Sequence, residues 1–425
     1  MVTKDSTENL GSASWIETGG YVPGSNFHER ATTFLETVNW DVLASISSRL
    51  RNGVPCKFSG TYSIGHYNMV RHIAFADGVR WVARVRLPEL FGDTEALDVA
   101  SILRVEISSM RFLKAKTSIP IPEVHSYCLD LTNDVGAPYI LMDYIHGTVA
   151  TELQEAKKCD AHLFGTQDQD RKFRQQMADI QVKLSSFTFD QIGSLYQDEQ
   201  TSDFFIGPDV ETGKGPWASS MDYYTDLANH VLQVCVRSAE PEVQKSVSFT
   251  IPCVFQHLIF LYSQSRSMGG PSSLVNRDFG AHNLLVNDNF EIIGVIDLDG
   301  VMAAPMEVVA QYPVLTGLDT EPPGHVETKP AAIDRIRVTE PKLKEYKDLI
   351  GTAEAEMNGD EGDTPIANLM LSDATNVFQG LLSYRCHQKF VNDNWMEAYA
   401  RLLHSYYMRD MGVTGIPTAI LDTDG

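Results

Sequence analysis

The spacing of apolar positions changes from one stretch of the chain to the next. In ATTFLETVNWDVLASISSRLRN (31–52), Phe34, Val38, Val42, Leu43 and Ile46 recur at helical intervals and Asn52-Gly53 ends the run, so a helix is expected there. The β-rich runs MVRHIAF and VRWVARV flank Ala76-Asp77-Gly78 and predict a hairpin, with a loop carrying Gly60 and Gly65 ahead of it. DVASILRVEISSMRFLKAKT reads as one helix. It stops before SIPIPEV, where two prolines demand extended chain. PYILMDYIHG reads as a buried strand running into a connector. From Thr148 the pattern turns mostly helical. RKFRQQMADIQVKLSSF places Phe173, Met177, Ile180 and Leu184 on one face. WMEAYARLLHSYYMRDMG does the same with Trp395, Tyr399, Leu402 and Tyr406, and Gly412 follows as a cap. The Gly/Ser-rich start reads as a loosely ordered arm, and EMNGDEGDTP (356–365) as an acidic, solvated loop. The expected organisation is an arm over 1–30, a small α/β lobe over 31–145 and a larger, mainly helical lobe over 146–425.

Composition narrows the function. The 425 residues give room for two or three domain-sized units, and 43% hydrophobic content is enough for a sizeable core. With 34 basic against 56 acidic residues, a net charge of −22 argues against nucleic acid, whose binding rests on Lys/Arg contacts to phosphate. That charge permits a cationic substrate and equally describes a solvated acidic surface. The six cysteines are scattered without a C-x-x-C pair, which fits a reducing compartment and speaks against disulfides or zinc. The polar N-terminus is no signal peptide, and no apolar run reaches the roughly 18 residues a membrane helix needs. A cytoplasmic protein that spans no membrane is the expectation.

The chemistry concentrates in NRDFGAHNLLVNDNFEIIGVIDLDG (276–300). Two short apolar strands flank a turn at Asn287-Asp288-Asn289, which puts Asp278, Asn283 and Asp297 at the ends of a hairpin and within reach of one small volume. A carboxamide and a carboxylate side by side make a hard-oxygen site of the kind magnesium takes when phosphate completes its shell. A further carboxylate can orient a hydroxyl and accept its proton. Phosphoryl transfer asks for this set, and D-x-x-x-x-N with an Asp on the next strand is the spacing of a kinase catalytic loop. Asx turns and a strand end are the plain structural account of the same residues.

These words, together with GHYNMVRHIAFADGVRWVARVRLP, VEISSMRFLKAKTSIPIPEVHSY, PYILMDYIHG and ADIQVKLSSFTFDQIGSLY, resemble the aminoglycoside phosphotransferase/choline kinase-like family, particularly its fungal members, over about residues 55–310. The resemblance implies an α+β, two-lobed, protein-kinase-like fold: a small N-terminal antiparallel sheet plus helix, and a larger, mainly helical C-terminal lobe. It implies magnesium-dependent transfer of the γ-phosphoryl group of ATP (or GTP) to a small molecule, with an amino-alcohol or a natural-product intermediate among the candidate acceptors. Position by position, Asp278 matches the catalytic aspartate, and Asn283 and Asp297 match the magnesium ligands. Gly60 and Gly65 match the turn over the phosphates, Arg84 the phosphate-pairing lysine, Glu106 its helix partner, and Asp143 to Ile145 the adenine-binding hinge.

Two positions depart from the family pattern. Asn276 stands where H-x-D has its histidine, and either braces the loop in its place or marks a loop that has relaxed. Arg84 stands for lysine, a bulkier fork that is not interchangeable with an ammonium; Arg86, on the same strand face, is the alternative phosphate partner. His282 reads as a structural neighbour of Asn283. Asp299 either adds to the metal site or binds backbone. A nucleotide-binding scaffold without phosphotransfer, and another ATP-driven transfer such as nucleotidyl transfer or acid activation, remain the alternatives. The short LDGVMAAPME stretch after Asp297 leaves no peptide platform, which favours a small acceptor over a protein.

Overall fold

A computed structural model describes residues 15–17, 24–88, 98–160, 163–237, 255–257, 271–318, 330–359, 364–372 and 375. The expected helix at 395–412 lies outside these residues, as does 360–363 within the acidic stretch; Glu356 and Met357 belong to the last turn of the helix Pro330–Asn358.

The first sheet has the order β1-β2-β3-β4-β6-β5, each strand antiparallel to its neighbours: β1 Ile16–Glu17, β2 Cys56–Ile64, β3 Asn68–Phe75, β4 Arg80–Arg86, β5 Val124–Cys128 and β6 Tyr139–Asp143. The β3–β4 hairpin turns at Ala76-Asp77-Gly78 as expected. Gly78 holds a φ of 88°, open to glycine and costly to other residues. The stretch with Gly60 and Gly65, expected as a loop, is instead strand β2 and a tight turn at 65–67. CKFSGTYSI is too polar to announce itself as a strand, and pairing along β3, with a register shift between Phe58 and Tyr62, overrides its weak propensity.

Ahead of the sheet, the helical run is two helices, α1 Asn26–Thr37 and α2 Trp40–Leu50. The periodicity passes across the break unaltered. The break comes from Asn39, whose side chain accepts the Val42 N–H at 3.2 Å and caps a new helix. Because α1 begins at Asn26, the expected arm is shorter than 30 residues.

Strand β4 is buried on both faces, and its period of two sorts its side chains. Trp81, Ala83 and Val85 join Phe34, Val38, Leu43, Met69 and Ile73 in a core beneath α1 and α2. Val82 joins the other core, under helix α3 (Val99–Lys116), with Leu103, Ile107 and Met110. That core continues through Phe173, Met177, Ile180 and Leu184 of α5 (Gln167–Ser185), the face read from the sequence.

Besides α4 (Ala150–Ala156), α5 and α6 (Ser220–Arg237), the second half holds two sheets of short strands. One has the order β10-β9-β14-β11-β8, with β8 Thr188–Phe189, β9 Gly193–Gln197, β10 Phe204–Gly207, β11 Ser272–Asn276 and β14 Val301–Ala304. The other has the order β13-β12-β7, with β7 Thr148–Val149, β12 Leu284–Val286 and β13 Ile292–Val295. Strands of two to five residues carry too little periodicity to be seen in sequence. Together they hold the 276–300 segment by both ends.

Candidate active site

A cleft of about 580 Å³ lies between the first sheet and the β12–β13 hairpin. Val70, Val82 and Met142 line it from the sheet, and Leu285 and Ile296 from the hairpin. Arg84, Glu106, Asp143, Glu152, Asp297 and Asp299 supply its charged part, and His282 lies among them. The parity of β4 is the reason Arg84 reaches the cleft: with Ala83 and Val85 committed to the opposite core, its side chain must face this one.

Arg84 and Glu106, 8% and 1% exposed, form an ion pair, and the second Arg84 nitrogen donates to Asp297 Oδ1 at 2.8 Å. The Asn68 carboxamide, with its oxygen turned toward the guanidinium, accepts from Nη2 and Nε of Arg84 at 2.6 and 3.0 Å. Only a planar fork can satisfy three partners in different directions, which is a physical reason for arginine at this position. Arg86, the alternative, is buried with its guanidinium 4.7 Å from the centre of the Tyr67 ring and is not among the cleft-lining residues.

Next to His282, which lines the cleft, Asp278 keeps a half-exposed carboxylate. His282 Nε2 lies 3.2 Å from each of its oxygens, and Asn283 Nδ2 donates to Oδ2 at 2.9 Å and to the Asp278 carbonyl at 3.0 Å. The amide nitrogen of Asn283 is thereby turned to Asp278, which leaves its oxygen as the atom able to meet a cation. Ile296 N–H donates to the Asn283 carbonyl at 3.0 Å and ties the catalytic-loop segment to the strand leading into Asp297. Asp297 itself has a φ of 60°, a left-handed conformation that aspartate tolerates better than most residues.

Asn276 is buried. Its oxygen accepts the Asp278 N–H at 3.1 Å, and its nitrogen reaches the Asp297 carbonyl at 3.5 Å. It spans the two segments as a brace must. Gly300 makes room for it: a Cβ there would lie 2.8 Å from Asn276 Oδ1 and 3.3 Å from Asp278 N. Gly300→Ala is therefore expected to push Asn276 off Asp278 and cut turnover by up to about a hundredfold, since misplacing a reacting group by about 1 Å costs that much. Steady-state kinetics beside a melting curve check this, and wild-type turnover in the variant would remove Asn276 as the brace.

Asp299 is held above the ordinary carboxylate range, first by burial and then by the negative Asp297 beside it, with Arg84 opposing. Behind Asp278, Arg277 donates to the fully buried Asp209 at 2.8 Å and to Glu211 at 2.6 Å. Burial works against its charge, but the two carboxylates outweigh burial and raise its basicity. This pair locks the loop after β10 to the residue just before Asp278.

Of the residues read from sequence, Gly65, Arg84, Glu106, Asp143, Ile145 and Asp297 line the cleft, and Asp278 and Asn283 join it through His282. Gly60 does not line it; it lies exposed within β2. The Asp143 amide donates to the Glu123 carbonyl at 3.0 Å, and its carboxylate accepts from Glu123 N at 3.1 Å and pairs with His125 at 2.8 Å. The His125 contact, against some opposition from burial, holds the Asp143 carboxyl below its usual range. His282, read as a structural neighbour of Asn283, lies 3.1 Å from its amide nitrogen and also contacts the Asp278 carboxylate directly. Asn68, Asp209 and Glu211 went unread. Strand parity with Arg84 is the one sequence signal for Asn68, and no sequence signal connects residues 209 and 277.

A family model described as the phosphotransferase enzyme family matches residues 76–308. A subtelomeric hrmA-associated cluster protein of Aspergillus fumigatus is 24% identical over 347 residues, covering 65% of this chain. The chain spans 64% of that relative's length. The mitochondrial altered inheritance of mitochondria protein 9 of Candida tropicalis is 33% identical over 98 residues, 23% of this chain and 16% of its own. Among solved structures, macrolide 2′-phosphotransferase of Brachybacterium faecium superposes with a TM-score of 0.41 at 13% identity, covering 85% of this chain and 98% of its own.

Proposed function

Because the chain belongs to the phosphotransferase enzyme family, we propose that it transfers the γ-phosphoryl group of ATP, or GTP, to a hydroxyl of a small molecule, with magnesium as cofactor. The observation that carries the reading is the meeting of two sets at one cleft: Asp278 and Asn283 behind the cleft-lining His282, and Arg84 with Glu106 and Asp297 on its wall.

Asp278 is half-exposed and oriented by two neighbours, as a group must be that receives an acceptor hydroxyl and takes its proton as the O–P bond forms. The γ-phosphorus parts from the bridging oxygen, and the electron pair leaves with ADP. Arg84, fixed by Glu106 and Asn68, offers positive charge where the phosphate oxygens gain negative charge. The 65–67 turn covers the phosphates, and Asp143 to Ile145 receive the base. In this reading residues 31–145 bind the nucleotide and residues 146–425 carry the catalytic loop and the acceptor.

The donor set fits magnesium. Burial first, and then the neighbouring Asp297 and Asp278, hold the Asp299 carboxyl above its usual range against Arg84, and a divalent cation among these carboxylates would offset their repulsion. Among the described residues no three His, Cys, Asp or Glu side chains make a complete ligand set. Asn283 and Asp297 would hold the ion, with phosphate oxygens and water as the other ligands. Magnesium bound there supplies charge neutralisation for the triphosphate.

Both departures from the family pattern favour retained activity over a scaffold, because Asn276 makes a brace and Arg84 makes the Glu106 pair. The proposed acceptor is an amino-alcohol or natural-product intermediate, met in the cytoplasm. The test is incubation with Mg-ATP or Mg-GTP and panels of amino-alcohols and sugars, following nucleotide products and acceptor mass. ADP together with a product heavier by one phosphoryl group is the expected result. AMP release would replace the reading with nucleotidyl transfer or acid activation. Nucleotide-induced thermal stabilisation without turnover on any acceptor would replace it with a binding scaffold.

A further inference from the structure

The family match begins at residue 76, yet part of the cleft is built by residues that precede it. Trp15 lines the cleft and meets Tyr144, next to the expected hinge residues, edge-on with ring centres 6.3 Å apart. The backbone right after it, β1, extends the sheet by pairing Ile16 with Tyr62 and Glu17 with Thr61, so Trp15 is held in place by sheet hydrogen bonding.

The turn at 65–67 shows a second such dependence. Its backbone is closed by Gly65 N–H to the Asn68 carbonyl at 2.9 Å and by Leu87 N–H to the Tyr67 carbonyl at 2.8 Å. Three arginines then grip three successive residues. Arg30 of α1 donates to the His66 carbonyl at 2.9 Å and to the Pro88 carbonyl at 3.2 Å, bridging the turn to the end of β4. Arg86 stacks over Tyr67 at 4.7 Å, and Arg84 is bonded by Asn68 at 2.6 and 3.0 Å. A turn with a single glycine, held in this way, keeps one shape before any ligand arrives. Binding then avoids the ordering cost that a loose loop imposes.

We propose that Trp15 and Arg30 are part of the nucleotide site: Trp15 walls the cleft beside the hinge, and Arg30 is a positioning residue that fixes the turn over the phosphates. This rests on the reading of the cleft as a nucleotide site and extends it to residues that the family match does not cover.

The full chain would be titrated with Mg-ATP by calorimetry as wild type, Arg30→Ala, Arg30→Lys, Trp15→Ala and Trp15→Phe, with amide hydrogen exchange at residues 65–68 followed without nucleotide. Arg30→Ala is expected to weaken binding about tenfold, the scale of restoring freedom to a residue or two of backbone. It should also speed exchange at the turn. Arg30→Lys should recover part of the loss, since an ammonium keeps the charge and the N–H donors but on a shorter side chain than the one that brings Nη2 to both carbonyls. Trp15→Ala should weaken binding, and Trp15→Phe should restore most of it. Wild-type affinity in both alanine variants overturns this inference and leaves the functional reading standing. Weaker binding that only tracks a lower melting temperature, with exchange at 65–68 unchanged, overturns it as well. Wild-type protein that binds no nucleotide overturns the functional reading, and this one with it.

Discussion

Asp278→Asn is expected to lower turnover by about a thousandfold while Mg-ATP affinity largely survives, the range lost when a positioned general base is removed. The amide keeps the size of the carboxylate and can still accept from Asn283, so the loop keeps its shape; what disappears is the site for the acceptor's proton. Nucleotide affinity survives because Asp278 is not among the residues lining the cleft, whereas Arg84, Glu106 and Asp297 are. Single-turnover measurements at saturating Mg-ATP, paired with binding titrations, separate the two effects. Turnover near wild type in Asp278→Asn would remove Asp278 from its role. A matching loss of nucleotide affinity would mean that its part is structural.

The second large effect is on stability and arises at residues that do not line the cleft. Arg174 of α5 is fully buried, paired with Asp170 at 2.8 Å one turn earlier and donating to the Thr316 carbonyl at 3.1 Å. Asp170 also accepts the Phe164 N–H at 2.9 Å, with Lys342 of the long helix 3.9 Å away. Burial lowers the affinity of Lys342 for its proton, and Asp170 counters that. One charge cluster therefore fastens the loop before α5, the segment around 316 and the Pro330–Asn358 helix to a single point. Arg174→Met leaves Asp170 buried with only a distant cation, and should cost about 3–5 kcal/mol, the usual penalty for breaking a buried pair from one side. Denaturant unfolding measures it. Adding Asp170→Leu should recover part of the loss, because the stranded carboxylate is then gone. If Arg174→Met unfolds at the wild-type midpoint, the cluster does not hold these segments together.

The sequence was most informative wherever one periodic element carried the signal. Helix α3 runs as its pattern announced, and its Glu106 faces inward because Leu103, Ile107 and Met110 define the buried side. The β3–β4 hairpin followed from two β-rich runs around Asp77-Gly78, and the buried face of α5 from four apolar positions. The spacing of Asp278, Asn283 and Asp297 pointed to the cleft because the hairpin between them is short, so little chain is free to carry them apart.

It was least informative where the cause lies on another part of the chain. Strand β2 exists because β3 offers it a partner, and its own residues barely favour a strand. The break between α1 and α2 depends on one capping amide that periodicity does not register. The brace by Asn276, the room made for it at Gly300, the grip of Asn68 on Arg84, and the Arg277–Asp209 pair all join residues whose closeness is produced by folding. By itself the sequence determined the kind of elements and the residues able to do chemistry, because periodicity and side-chain type are local properties. Which of those residues meet was decided only by the tertiary structure, because hydrogen bonds and ion pairs between distant segments depend on distances that no local pattern records.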